Sequence, residues 1–232
     1  MHIVIFGANG GTGRLLCRLA VDAGHTAVAV TRHPNDFPLA HERLTVAGAD
    51  VRDPSSLVEV LGGADAVLSA LGVPFSPRRI DTYSVGAANI VAAMRETAVR
   101  RLVVVSSTGA YPYPGRIDPP VSLRFIEPVV TRTIGKSTYD DQRRMENIIR
   151  SSGLDWTIVR PSGLFDLPEP TKYIAGEVDP VGSYTARIDL ADYMRTIVGG
   201  PDTVGKTVVV STIQNTPSMW QMIRREAFRS AS

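Results

Sequence analysis

Gly7, Gly10 and Gly13 stand three residues apart in "GANGGTG". The stretch lies between a short apolar run, "HIVIF", and a run of helical spacing, "GRLLCRLAVDAG". A turn this tight needs residues without Cβ, a pyrophosphate must approach the backbone closely, and the helix must pack tightly on the strand. With Asn9, Gly11 and Thr12 completing the turn, the helix start offers unpaired N–H groups and its positive dipole end to phosphate oxygens. In a strand–turn–helix setting this pattern reads as a dinucleotide site; without that setting the same glycines are only a structural turn.

One helix and one strand later the chain reads "TAVAVTRHP". An acid at the end of this strand would accept hydrogen bonds from the ribose hydroxyls of NAD, and would repel the extra phosphate of NADP. Thr31 and Arg32 stand there instead. Arg32 offers a fixed charge and a planar fork of donors to that phosphate, and Thr31 a hydroxyl, so the expected cofactor is NADP(H). Arg14 follows the third glycine and either adds to phosphate binding from the first helical turn or is a solvated surface charge.

These residues need a frame. Seven Val- and Ile-rich runs, "HIVIF", "TAVAVT", "LTVAGA", "DAVLSA", "RLVVVSS", "DWTIVRP" and "KTVVVST", recur with amphipathic helical stretches between them. Near-continuous apolar strands alternating with helices predict one α/β domain over residues 1–232, a doubly wound parallel sheet of Rossmann type with right-handed crossovers. Two Pro- and Gly-rich segments, residues 111–128 and 161–182, each follow a strand directly. Ligands of open α/β sheets bind beyond the carboxyl ends of the strands. A small-molecule substrate is therefore expected against a small region built from residues 111–135 and 161–185.

Composition narrows the partners. A net charge of +2 with scattered basic residues lacks the clustered basic face that nucleic acid requires. The apolar runs are too short to span a bilayer, and no signal-peptide pattern opens the chain, so a cytoplasmic protein with no membrane role is expected. The single cysteine, Cys17, sits in an apolar helical run and is expected to be buried. The last stretch, "PSMWQMIRREAFRSAS", has the spacing of an amphipathic helix that covers the core.

The chain resembles the atypical short-chain dehydrogenases/reductases, of the NAD(P)-binding, NmrA-like and biliverdin-IXβ-reductase-like type. The residues that carry the resemblance are "GANGGTGR", "GADVRD", "SSTGAY", "RRMENIIRSSGLDWTIVRPSGL", "RIDLADYMRTIV" and "VGKTVVVS", and they run over nearly the whole chain. The resemblance implies that Asp50 and Val51 lie beside the adenine. It further implies that Ala70, Leu71 and Gly72 pass close to the cofactor, that Ser106, Ser107 and Thr108 lie near the nicotinamide, and that Pro161, Ser162 and Leu164 pack against its far end.

The superfamily's catalytic pair is a tyrosine and, four residues on, a lysine that lowers the tyrosine pKa and holds the ribose. This chain has Tyr139 and Arg143, four residues apart and so on one helical face. Arginine can hold a ribose or a phosphate but cannot shuttle a proton. Lys136 lies three residues before Tyr139, and Tyr111 and Tyr113 are either alternative acids or loop packing. Tyr139, Ser107 and Thr108 are thus the catalytic candidates, with Arg143 beside the cofactor. The expected activity is an NADP(H)-dependent oxidoreductase that passes hydride to a flavin, quinone, enone or tetrapyrrole, chemistry that leans on cofactor positioning. One alternative is an NmrA-like regulator that binds NADP(H) without turnover and signals to a protein partner. Another is a nucleotide-sugar epimerase or a classical alcohol dehydrogenase, against which the missing Tyr-Lys pair counts.

Overall fold

A computed structural model describes residues 1–74, 76, 78–118 and 135–217. The first half runs β1 (His2–Phe6), α1 (Gly11–Asp22), β2 (Thr26–Thr31), β3 (Leu44–Gly48), α2 (Ser55–Val60), β4 (Ala66–Ser69), α3 (Thr82–Glu96) and β5 (Arg101–Val105). It continues with α4 (Lys136–Arg150), β6 (Asp155–Pro161), β7 (Gly163–Phe165), β8 (Tyr173–Gly176), β9 (Tyr184–Ala186), α5 (Arg187–Ile197) and β10 (Lys206–Thr212).

Eight strands form one sheet in the order β3-β2-β1-β4-β5-β6-β10-β8. All pairs are parallel except β10 with β8. The strand order reverses direction between β1 and β4, which places the crevice for a ligand at their carboxyl ends. The seven predicted runs are the seven parallel strands. β8 departs from the expected all-parallel sheet, because it lies inside the segment read as irregular and pairs antiparallel at the edge, Val209 opposite Gly176. The same segment holds β7, which pairs with β9 just beyond it to form a separate two-stranded parallel sheet. These three strands are short and interrupted by Pro and Gly, and their pairing is long-range, so no local periodicity announces them.

Alternation divides the core between two faces. Val4, Phe6, Val28 and Val30 face α3 and α4, whose Ile90, Met94, Met145 and Ile149 complete that side. Ile3, Ile5, Ala27 and Ala29 face α1 and α5, meeting Leu16, Cys17, Leu190 and Met194. Cys17 is fully buried, and burial pushes its thiol up to about 12, so it is a core residue rather than a nucleophile. Two buried ions tie the helices to this frame. Asp141 of α4 accepts hydrogen bonds from the N–H groups of Tyr83 (2.8 Å) and Ser84 (3.3 Å), capping α3. Arg101 of β5 donates to the carbonyls of Ile197 (2.8 Å) and Val198 (3.1 Å) at the end of α5, where the helix dipole favours a cation.

Among the described residues no helix is long and apolar enough to cross a membrane. Part of the expected substrate region, residues 119–134, and residues 218–232 of the expected terminal helix lie outside the described residues.

Candidate active site

The glycine turn joins β1 to α1 at the reversal of strand order. Gly7 has φ +72°, a conformation costly for any residue with a Cβ. A Cβ on Gly7 would also stand 2.6 Å from the carbonyl oxygen of Ala70, just beyond β4. Gly13 is tighter still: its Cβ would lie 2.2 Å from the carbonyl oxygen of Gly7, so helix and strand touch backbone to backbone. The Gly10 N–H donates to that same carbonyl at 3.0 Å. Gly10 caps α1 with no side-chain hydrogen bond, and the first turn carries no acid. The leading amides of α1 are thus left to an anion, and the turn fits the pyrophosphate of a dinucleotide.

Arg14 donates to Asn9 Oδ1 through Nε (3.0 Å) and Nη2 (2.7 Å), so it braces the turn rather than standing alone in solvent. Gly11 serves another purpose than the three spaced glycines. Its Cβ would lie 3.0 Å from Arg187 Cδ, so its missing side chain makes room for an arginine that the sequence reading did not single out. Thr12 is buried.

At the end of β2, Thr31 is buried and its hydroxyl accepts from the His33 N–H at 3.3 Å. Arg32 is exposed, and among the described residues none pairs with it. Asp50, half-buried, accepts from the Arg52 N–H at 2.9 Å. The Val51 side chain belongs to the core beside Gly86, and its carbonyl accepts from Asn89 at 2.8 Å. Ala70 and Leu71 form the back wall of the turn, and Gly72 is exposed.

Beyond β5 the chain makes a single 3₁₀ turn, Thr108–Ala110, capped by the Ser107 hydroxyl, which accepts from the Gly109 N–H at 3.0 Å. Tyr139 projects from α4 onto this turn. A Cβ on Gly109 would lie 2.6 Å from the ring and 2.7 Å from the hydroxyl oxygen of Tyr139, so a side chain there would displace the phenol. Thr108 is buried, with its Oγ1 3.3 Å from Ser162 Oγ. Ser107, Thr108, Tyr139 and Ser162 are therefore gathered at the carboxyl ends of β5 and β6, beside buried Pro161 and half-buried Leu164. Arg143 bonds the Ala110 carbonyl and the Asp140 carboxylate. Asp140 also accepts from Lys136 at 2.7 Å, and these partners, Lys136 first, hold its carboxyl below the usual range. Lys136, on the first residue of α4, is thus engaged with Asp140.

The Ser106 hydroxyl is buried and donates to Glu146 at 2.6 Å, so it faces α4. Glu146, fully buried, also accepts from Arg160 Nε (2.9 Å) and Arg150 (2.7 Å). Arg160 then donates to the Tyr113 hydroxyl at 3.0 Å and lies 3.9 Å above the Tyr111 ring. Burial opposes the charge on Glu146, yet the hydrogen bonds from Arg160 and Ser106 hold its carboxyl below the usual value. The two tyrosines are thus bound to the Arg160 guanidinium, as loop packing. The sequence signal for this network was an arginine at the end of an otherwise apolar strand, which demands a buried partner. Arg116 also went unread. It donates to the Gly182 carbonyl (2.9 Å) and to Ser162 Oγ (3.3 Å), and with the bridge between Ile117 and Val181 it fastens the two irregular segments together.

With this geometry, comparison with known proteins places the chain. It belongs to the NAD(P)H-binding family, matched over residues 7–201. It is 30% identical over 192 residues to a UPF0659 protein of Schizosaccharomyces pombe, covering 75% of each chain. It is also 34% identical over 128 residues to cinnamoyl-CoA reductase 1 of Petunia hybrida, matching 50% of this chain but only 38% of that enzyme. A solved short-chain dehydrogenase/reductase of Veillonella parvula, in complex with NADP, shares the fold with a TM-score of 0.76 at 22% identity, over 94% of this chain and 99% of that one. The protein is thus an NAD(P)H-binding protein built on the Rossmann fold.

Proposed function

We propose that the protein is an NADP(H)-dependent reductase that delivers hydride to a small conjugated acceptor of flavin, quinone, enone or tetrapyrrole type. The observation that carries this reading is the placement of Tyr139 on Gly109, which gathers the phenol with Ser107 and Thr108 on the same sheet edge as the glycine turn. NADPH, when bound, supplies the hydride. Gly7, Gly10 and Gly13 admit the pyrophosphate, and exposed Arg32 takes the 2′-phosphate. The Veillonella structure, which holds NADP on the same fold, supports that choice of cofactor.

The hydroxyls of Tyr139, Ser107 and Thr108 hydrogen-bond the acceptor's oxygen or ring nitrogen as charge develops there. Arg143 holds the Ala110 carbonyl and cannot relay a proton from Tyr139. The acceptor is therefore one whose conjugation spreads the incoming charge, which lowers the demand for a strong acid.

Fluorescence titration of NADPH and NADH tests the cofactor. NADPH is expected to bind more tightly, and Arg32→Ala to erase at least about tenfold of that preference, the scale of a charge-assisted hydrogen bond. NADPH oxidation against a panel of flavins, quinones and enones tests the chemistry, with Tyr139→Phe expected to lower kcat about 10²-fold at unchanged NADPH affinity. Tight NADPH binding with no turnover of any acceptor would replace this reading by that of a redox-sensing regulator. A preference for NADH would overturn the role of Arg32.

A further inference from the structure

Arg187 is the first residue of α5, and its side chain lies across the first residue of α1. A Cβ on Gly11 would stand 3.0 Å from Arg187 Cδ and 3.1 Å from Nε. Gly11 has no left-handed φ and is not one of the three spaced glycines, and a side chain there would press on this arginine. The Arg187 side chain is only 18% exposed, and its Nη1 meets Asp166 Oδ1 at 2.9 Å.

The small sheet aims this pair. In the register of β7 with β9, Phe165 lies opposite Ala186, which brings the next residues, Asp166 and Arg187, side by side. Phe165, Ala186 and Ile188 pack with Leu15 and Leu19 of α1, fixing the pair to the helix that follows the glycine turn. A guanidinium is thereby held where α1 presents amides with no side-chain cap. A carboxylate is the protein's own nearest mimic of a phosphate, since both accept the two parallel hydrogen bonds of a guanidinium fork.

We propose that Arg187 is a pyrophosphate-binding cation of the cofactor site, and that Asp166 holds its guanidinium in place until the phosphates take it over. This rests on the dinucleotide reading above. It adds a phosphate ligand contributed from the far end of the chain, through a sheet that otherwise belongs to the substrate side. Bound cofactor then replaces Asp166 as the partner of Arg187.

Binding affinities measured by calorimetry and NADPH fluorescence test this. Two probes are used: NADPH, and 2′-AMP, which keeps the adenine and the 2′-phosphate but has no pyrophosphate. Arg187→Ala is expected to weaken NADPH at least about tenfold while leaving 2′-AMP within about twofold, and Arg187→Lys to recover part of the loss. Asp166→Asn is expected to bind NADPH as tightly as the wild type or more so, because a competing carboxylate is gone. The proposal is overturned if Arg187→Ala binds NADPH like the wild type, or if both probes weaken equally, which marks damage to the fold. It is equally overturned if Asp166→Asn loses as much affinity as Arg187→Ala. Wild-type protein that binds neither NADPH nor NADH would bring down the dinucleotide reading itself, a result distinct from any of these. Should Arg187→Ala not fold, Arg187→Gln and Arg187→Lys carry the same comparison.

Discussion

The two ends of the candidate site are built in opposite ways. The phosphate end is local: Gly7 to Arg14 are contiguous, and the main close contact inside the turn joins Gly13 to Gly7. The acceptor end is assembled from the 3₁₀ turn after β5, from α4, from the end of β6 and from residues 111–117 and 179–183. Its parts are joined by side chains separated far along the chain, Ser106 with Glu146 and Arg116 with Gly182 among them. A local device is rigid because backbone meets backbone. An assembled one is held by buried charges, and its integrity depends on pH and on each partner.

The sharpest way to break this comparison is at Gly13. Gly13→Ala forces a Cβ to within 2.2 Å of a backbone oxygen, and neither side can yield. A loss of about 3 kcal/mol or more in urea unfolding is expected, together with loss of NADPH binding. Gly200→Ala, where a Cβ meets nothing within 4 Å, is the control.

At the assembled end, Glu146→Gln leaves Arg160 buried without its counter-charge, a change expected to cost about 3 kcal/mol. Because the hydrogen bonds outweigh burial and depress the Glu146 pKa in the folded chain, the carboxylate is more acidic folded than unfolded. Its contribution is present above the unfolded value and is lost as pH falls through the folded one. Urea midpoints of the wild type should therefore drop on acidification from about pH 5 downward, and those of Glu146→Gln should drop less. A parallel decline in both would show that the network does not set acid stability.

The smallest expected effect separates two adjacent serines. Ser106→Ala should lower stability by about 1.5 kcal/mol, since it removes a hydrogen bond to a buried charge, with NADPH turnover unchanged. Ser107→Ala should lower turnover and cost less stability than Ser106→Ala, since it gives up only the cap of a single 3₁₀ turn. If both variants behave alike, the division between framework and site at this turn is wrong.

Much of the frame was legible because strands buried on both faces write themselves as continuous apolar runs, and all seven parallel strands were readable as such. The glycine turn was legible because its constraints are short-range. The partition of "SSTGAY" was not: consecutive residues at a strand end face opposite ways, and whether Ser106 or Ser107 meets a ligand depends on where α4 puts Glu146 and Tyr139. Arg160 sits at the end of an apolar strand and so demands a partner without saying which, while Arg116 and Arg187 carry no local pattern that marks their contacts.

The sequence by itself determined the alternation of elements, the turn that joins β1 to α1, and the cation in place of an acid after β2, since each follows from residues within one or two elements of one another. Only the tertiary structure decided that Tyr139 rests on Gly109, that Glu146 and Arg160 lock the acceptor end, and that Arg187 reaches back over Gly11. Those contacts span from 14 to more than 170 positions along the chain, where the partner of a side chain is chosen by sheet order and helix packing and leaves no local pattern behind.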